Sequence, residues 1–290
     1  MADYQIFADV TADHCSEMLV GLPPVRFIPM EVELGGKNYV YGPGGDLTVQ
    51  EFYTLQREGN FANTTQIPPG AFLPWFEPVL EAGQDLIYFP LSSGLSGTYQ
   101  SAQMCMEGLR EKYPERTILC VDTFCASVGQ GFIVREIARK KAEGLTIEEL
   151  ASWVQENSLK VCHWFTVDVF EHLKHGGRVS AATAVLGTAL QIKPMLHVDN
   201  EGRLEVVEKP RGRKRAIAAQ MARMDAGWLP EMGKLVVIGH GDDPIAAELL
   251  KNEVLSIHPS AQVYIAPIDP IIGAHTGPGM LALIYWGDNR

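Results

Sequence analysis

Four aliphatic hydroxyls, Ser92, Ser93, Ser96 and Thr98, crowd a seven-residue stretch broken by Gly94 and Gly97. Small hydroxyl donors on a glycine-rich backbone suit three kinds of chemistry. They can hold an anion against the free N–H groups of a helix start. They can cap that helix, the commonest use of serine at such a place. Or one of them can attack an acyl carbon. Gly94-Leu95-Ser96-Gly97-Thr98 falls one residue short of the G-x-S-x-G elbow, with Thr98 where the last glycine belongs. The stretch alone leaves all three open. If Ser96 were the nucleophile of a serine hydrolase acting on acyl esters, His275 would be its base and Asp122 or Asp168 the orienting acid. That chain order, Ser then Asp then His, is an allowed one.

Other reactive side chains narrow the field. His172 and His175 stand three apart beside Glu171, but the H-E-x-x-H frame is missing, so they read as a helix end and no metal is expected. No G-x-x-x-x-G-K-[ST] and no G-x-G-x-x-G lies between a strand and a helix, so no nucleotide cofactor is expected. His275 sits in Ala274-His275-Thr276-Gly277-Pro278-Gly279, where glycines allow close backbone approach to a ligand, although a lone histidine is more often structural. Lys209-Pro210-Arg211-Gly212-Arg213-Lys214-Arg215 concentrates positive charge, either as a solvated run or as an anion or docking patch.

These groups need a scaffold. Leu86 to Phe89 is a short apolar run that reads as a buried strand, and from Thr98 the period becomes helical, with Tyr99, Ala102, Met106 and Leu109 recurring. The hydroxyls therefore fill a strand-to-helix turn. Upstream, Gln5–Ala8 and Val25–Met30 read as strands and Asn63–Gly70 as a loop, since Pro68 and Pro69 forbid regular pairing. A helix follows Asp46, capped by that residue or Thr48. Strand Thr117–Asp122 and a helix from Cys125 to Lys141 continue the alternation, which predicts an α/β domain with a mainly parallel sheet over residues 1–155. Thr146 and Glu149 form a capping box for a helix to about Leu159. Strands at 161–167, 195–198, 204–207, 235–239 and 263–267 predict an α+β domain over residues 156–290, with the nearly all-apolar Ala181–Ile192 as a buried helix.

Composition excludes several classes. A hydrophobic content of 46% with 20% charged residues describes a globular chain with a substantial core. No apolar run is long enough to span a bilayer and no signal peptide is visible, so a cytoplasmic protein without stable membrane insertion is expected. Five cysteines with no C-x-x-C pair argue against a disulfide framework or a zinc ribbon. A net charge of -11 argues against nucleic acid as a partner.

The motifs also occur in a recognisable order: Asp9-Val10-Thr11-Ala12-Asp13, Thr64-Thr65-Gln66, Ser92 to Ala102, Val121-Asp122-Thr123, Gly176-Gly177-Arg178-Val179-Ser180, Lys193-Pro194-Met195-Leu196, Lys209 with Arg211, and His275-Thr276-Gly277-Pro278-Gly279. From Asp9 to about Gly279 the chain resembles the DegV family of bacterial fatty-acid-binding proteins. It departs from the family pattern at Val10, where serine is usual, and at Thr65 and Ile67 in the usual Thr-Ser-Gln-Pro-Ser. The resemblance implies a two-domain DegV-like fold that holds one long-chain fatty acid, such as palmitate, between its domains, with no cofactor and no catalysis of its own. In some members the acid is presented to an ATP-dependent fatty-acid kinase, which makes an acyl phosphate. Thr64, with Thr65 beside it, matches the family's head-group threonine. Ser96 matches the head-group serine, with Ser93 the alternative. Arg211 and His275 match positions near the carboxylate, Arg211 being expected to face inward. The segment Ala181–Ile192 is a candidate wall for the tail.

Overall fold

The computed structural model describes residues 4–179, 191–288 and 290. In chain order the first half contains β1 (Tyr4–Asp9), β2 (Val25–Ile28), β3 (Met30–Leu34), β4 (Lys37–Tyr41), α1 (Val49–Arg57), β5 (Ala62–Thr64), α2 (Leu73–Glu81), β6 (Asp85–Phe89), α3 (Thr98–Lys112), β7 (Ile118–Cys120), α4 (Ser127–Ala142) and α5 (Ile147–Asn157). Four of these strands pair in parallel in the order β2-β1-β6-β7. Parallel neighbours need crossovers, and the helices that supply them cover both faces. That is why β1 and β6 are buried along their whole length. A separate three-stranded antiparallel sheet, β4-β3-β5, lies beside it.

The second half continues with β8 (Val161–Thr166), α6 (Glu171–His175), the hairpin of β9 (Met195–Val198) and β10 (Leu204–Glu208), a helix at Arg213–Gly227, β11 (Leu235–His240), a helix at Pro244–Ile257, β12 (Gln262–Pro267), a short helix at Pro270–Thr276 and β13 (Leu281–Trp286). Its strands form one six-stranded mixed sheet in the order β10-β9-β8-β13-β11-β12. Alternation sorts the two faces. Cys162, Trp164, Val236, Ile238, Leu281 and Leu283 pack outward beneath the 213–227 and 244–257 helices. Phe165, Val237, Ala282 and Ile284 pack inward with Phe132 and Ile137 of α4. That inward core also takes in Ile6, Ile87 and Phe89 of the parallel sheet, so α4 lies between two sheets and the halves share one continuous core.

Local signals act as their chemistry demands. Thr48 and Thr146 each close a capping box, with Glu51 and Glu149, at the starts of α1 and α5. Other segments depart from the sequence reading. Asn63 and Thr64 belong to β5, because the prolines come only after the strand has paired with β3. His275 lies on the 270–276 helix rather than in a glycine loop. β13, which the sequence reading left unassigned, sits in the middle of its sheet, antiparallel to both β8 and β11. The apolar segment Ala181–Ile192 falls outside the described residues except for Gln191 and Ile192.

Candidate functional site

The hydroxyl loop is built from beneath. Asp9, fully buried at the end of β1, accepts hydrogen bonds from Tyr88 Oη at 2.9 Å and from the Leu91 amide at 3.0 Å. Asp122, just past the end of β7 on the far side of β6, accepts from the Ser93 amide at 3.3 Å and the Phe124 amide at 3.0 Å. Two acids at the carboxyl ends of the parallel strands thus fix the loop from Leu91 to Ser93. From the other half, the hairpin tip is clamped onto it: Ser92 Oγ donates to the Gly202 carbonyl at 2.8 Å. Gly94 must be glycine, because a Cβ there would stand 2.5 Å from the Glu201 carbonyl oxygen. Gly97 lies equally close to a side chain, with Gln66 Oε1 where its Cβ would be.

Between the halves lies a cavity with about 760 Å³ of unfilled space, its opening to solvent included. Little of that space admits the centre of a water molecule, so the bore is narrow. Its wall is mostly apolar, drawn from Leu91, Leu95, Val128 and Phe165 and from Leu173, Met280 and Ile284. Thr64, Thr65, Gln66, Ser96, Arg178 and His275 supply most of its polar lining. Three further polar residues line it, and all are engaged, Thr276 by donating from Oγ1 to the Ile272 carbonyl at 3.2 Å. Ser127 Oγ donates to Asp13 at 2.6 Å, and His163 Nδ1 pairs with the Val161 carbonyl at 2.8 Å.

Thr64 Oγ1 and His275 Nε2 are 2.8 Å apart, which joins β5 of the first half to the 270–276 helix of the second. Gly176 permits this approach, since a Cβ on it would lie 2.0 Å from His275 Nδ1. Burial, reinforced by Arg178 and His175, pushes the His275 pKa down to about 3, so the ring is neutral. A neutral ring that donates from Nε2 leaves the Thr64 hydroxyl hydrogen free for an anion. Ser96 Oγ is 2.9 Å from Thr98 Oγ1 and accepts from the Thr98 amide at 3.2 Å, so it also serves the first turn of α3. Arg178 donates to the carbonyls of Gly176 at 2.6 Å and Leu95 at 3.2 Å, and it pairs with no acid among the described residues. A guanidinium has five donors, so capacity remains for a carboxylate.

The structure thus brings Thr64, Thr65, Ser96 and His275 to one cavity. Ser93 is outside its lining. Arg211, expected to face inward, is exposed. The inward member of that cluster is Arg213, whose charge is taken by Asp168 at 2.6 Å and Asp243 at 3.3 Å. The cation that reaches the cavity is Arg178. Its signal was present in Gly176-Gly177-Arg178, where paired glycines precede a lone arginine. The serine-hydrolase alternative fails on geometry. Ser96 is bonded to Thr98, His275 to Thr64, Asp122 to backbone amides, and Asp168 to Arg213 and Lys193. Among the described residues no group of acids, histidines and cysteines could hold a metal ion.

Comparison with known proteins places this arrangement. The family model described as "Uncharacterised protein, DegV family" matches residues 3–288. The chain belongs to the DegV family. A DegV domain-containing protein of Clostridium perfringens is 36% identical over 290 residues, covering 100% of this chain and 99% of its own. Among solved DegV structures, a fatty-acid-binding family member from Thermus thermophilus superposes with a TM-score of 0.86 at 29% identity, covering 99% of this chain and 100% of its own. The fatty acid kinase B3 protein of Streptococcus pneumoniae, loaded with linoleic acid, has the same fold, with a TM-score of 0.87 at 20% identity and the same coverage. The two-domain DegV fold is therefore this chain's fold.

Proposed function

We propose that this DegV protein binds one long-chain fatty acid, with its carboxylate at Thr64, Ser96, His275 and Arg178 and its tail in the apolar bore between the halves divided near residue 155. The observation that carries the reading is a narrow apolar cavity lined by convergent neutral donors and by one arginine that pairs with no acid among the described residues. A buried carboxylate is costly unless donors or positive charge meet it, and both kinds converge here. A 14-methylene tail offers roughly 11 kcal/mol before entropic costs, so the tail supplies most of the affinity and the head group the orientation. The Thermus thermophilus relative, named for fatty acid binding, supports the same assignment. Exposed Lys209, Arg211 and Arg215 form a basic patch on an acidic chain, suited to a transient partner such as a fatty-acid kinase that would phosphorylate the presented carboxylate. Five cysteines with no disulfide between them suit a reducing compartment, in keeping with work in the cytoplasm.

The test is a titration of palmitate and of the matching alcohol against wild type, Thr64→Ala, Ser96→Ala and the double variant. Each donor lost from an ionised group costs about 1.5–3 kcal/mol, so each single variant should bind the acid at least ~10-fold more weakly and the alcohol with far less change. The double variant should lose less than the sum, because both hydroxyls serve one carboxylate. Unchanged affinity for the acid in both single variants would place the head group elsewhere.

A further inference from the structure

The outer face of the six-stranded sheet carries a feature that the lipid site does not use. The helices at Arg213–Gly227 and Pro244–Ile257 lie side by side and run in the same direction. At their starts Arg213 pairs with Asp243, the residue that caps the second helix, at 3.3 Å. At their ends Asp225 pairs with His258 at 2.7 Å, and Trp228 packs edge-on against the same ring. An open groove runs between them, floored by Ile217, Ala218, Met221 and Ala222. Three of the nine exposed large hydrophobics among the described residues stand on the second helix: Ile245 at 76%, Leu249 at 53% and Ile257 at 48% exposure. Leu249 and Ile257 line the groove on either side of Glu253, and exposed large hydrophobics grouped on one charged face mark an interaction site.

Charge along the groove selects its occupant. Lys214, exposed, supplies the positive charge at the end where both helices begin, Arg213 beside it being paired with Asp168 and Asp243. Asp225 and Glu253 line the groove toward the end where both finish. Helix dipoles in the same direction reinforce that polarity, positive at the starts and negative at the ends. A surface that is basic at one end, acidic at the other and apolar between is complementary to itself when turned around. A flat anionic membrane would meet Asp225 and Glu253 as well as Lys214, on a chain of net charge -11. We propose that this groove is a self-association surface, on which two copies of the chain pack their helix pairs antiparallel about a two-fold axis near Leu249, with Lys214 of each copy facing Glu253 and Asp225 of the other. Such an interface is isologous and closes at two copies. It lies across the sheet from the lipid cavity, so dimers and monomers should bind fatty acid alike.

Sedimentation velocity on the full chain over a concentration series at low salt is the test. Wild type should show a monomer–dimer equilibrium that weakens as salt is raised. Leu249→Asp should abolish the dimer, and Lys214→Glu and Glu253→Lys should each weaken it about tenfold or more. Mixed in equal amounts, the two charge variants should pair with each other, because each brings the charge that the other lacks. All three positions are exposed or groove-lining, and retained palmitate binding checks that the variants fold. A wild type that stays monomeric at every concentration overturns the proposal. So does a dimer indifferent to Leu249→Asp, or charge variants that fail to restore one another.

Discussion

At the scale of single residues, the site depends on which arginine stays uncommitted. Arg211 is exposed and Arg213 is spent on Asp168 and Asp243, whereas Arg178 lines the cavity and, among the described residues, has only carbonyl partners. Arg178→Gln should therefore weaken binding of a fatty acid by roughly tenfold or more, and binding of the matching alcohol much less. Arg211→Gln should leave both unchanged. The alcohol arm matters because Arg178 also ties Gly176 to Leu95, and loss of that structural role would weaken both ligands equally. Equal losses in the two arms would remove Arg178 from the head-group site. Part of the candidate site was legible in the sequence: Thr64, Thr65, Ser96 and His275 line one cavity, whereas Ser93 and Arg211 do not. The choice of arginine was not legible. It is set by which acids lie nearby in space, and Asp168 stands 45 residues from Arg213 along the chain.

At the scale of elements, glycines decide how closely the halves approach, and two of them give opposite expectations. A methyl on Gly94 would drive into the carbonyls of Glu201 and Gly202, while one on Gly108, within α3, would meet nothing within 4 Å. Gly94→Ala should lower stability by about 1–3 kcal/mol through overpacking, and it should also weaken lipid binding, because Val198 and Leu204 of the displaced hairpin line the cavity. Gly108→Ala should raise stability by about 0.5–1 kcal/mol. Paired denaturant titrations would show both; a Gly94→Ala variant as stable as wild type would mean that the hairpin moves freely. Elements with local signals were readable: the Thr146–Glu149 capping box, the helix start at Thr48, α3 and the β9–β10 hairpin all lie where their residues place them. The 270–276 helix was not, since seven residues between Pro270 and Gly277 are too few to show a helical period. β13 was missed for another reason. It is buried on both faces, so Leu281–Trp286 carries no alternation to separate a strand from a core helix.

At the scale of the whole molecule, the halves are joined by a pair of acids as well as by a shared core. Asp13 accepts from the Asp269 amide at 3.0 Å and from Ser127 Oγ, and neither acid makes an ion pair among the described residues. Burial raises the pKa of both, Asp269 to about 6, and the Asp269 carboxylate further disfavours ionisation of Asp13. The folded state thus holds protons that the unfolded chain gives up near pH 3.8. The stability this contributes is fully present below that value and is lost as pH rises through about 6. Between pH 5 and pH 7.5 the melting temperature of wild type should therefore fall relative to that of Asp269→Asn, and parallel curves would show that the pair is not linked to folding. The order of strands in the second sheet has a consequence in time. β13 follows every other strand of that sheet in the chain, yet it is the one that joins β8 to β11. During synthesis, the sheet remains two separate fragments with facing open edges until residue 286 has left the ribosome, and Ala282 and Ile284 of the cavity wall are missing until then. The nascent chain has to avoid edge-to-edge pairing through that interval, and the cavity is complete only afterwards.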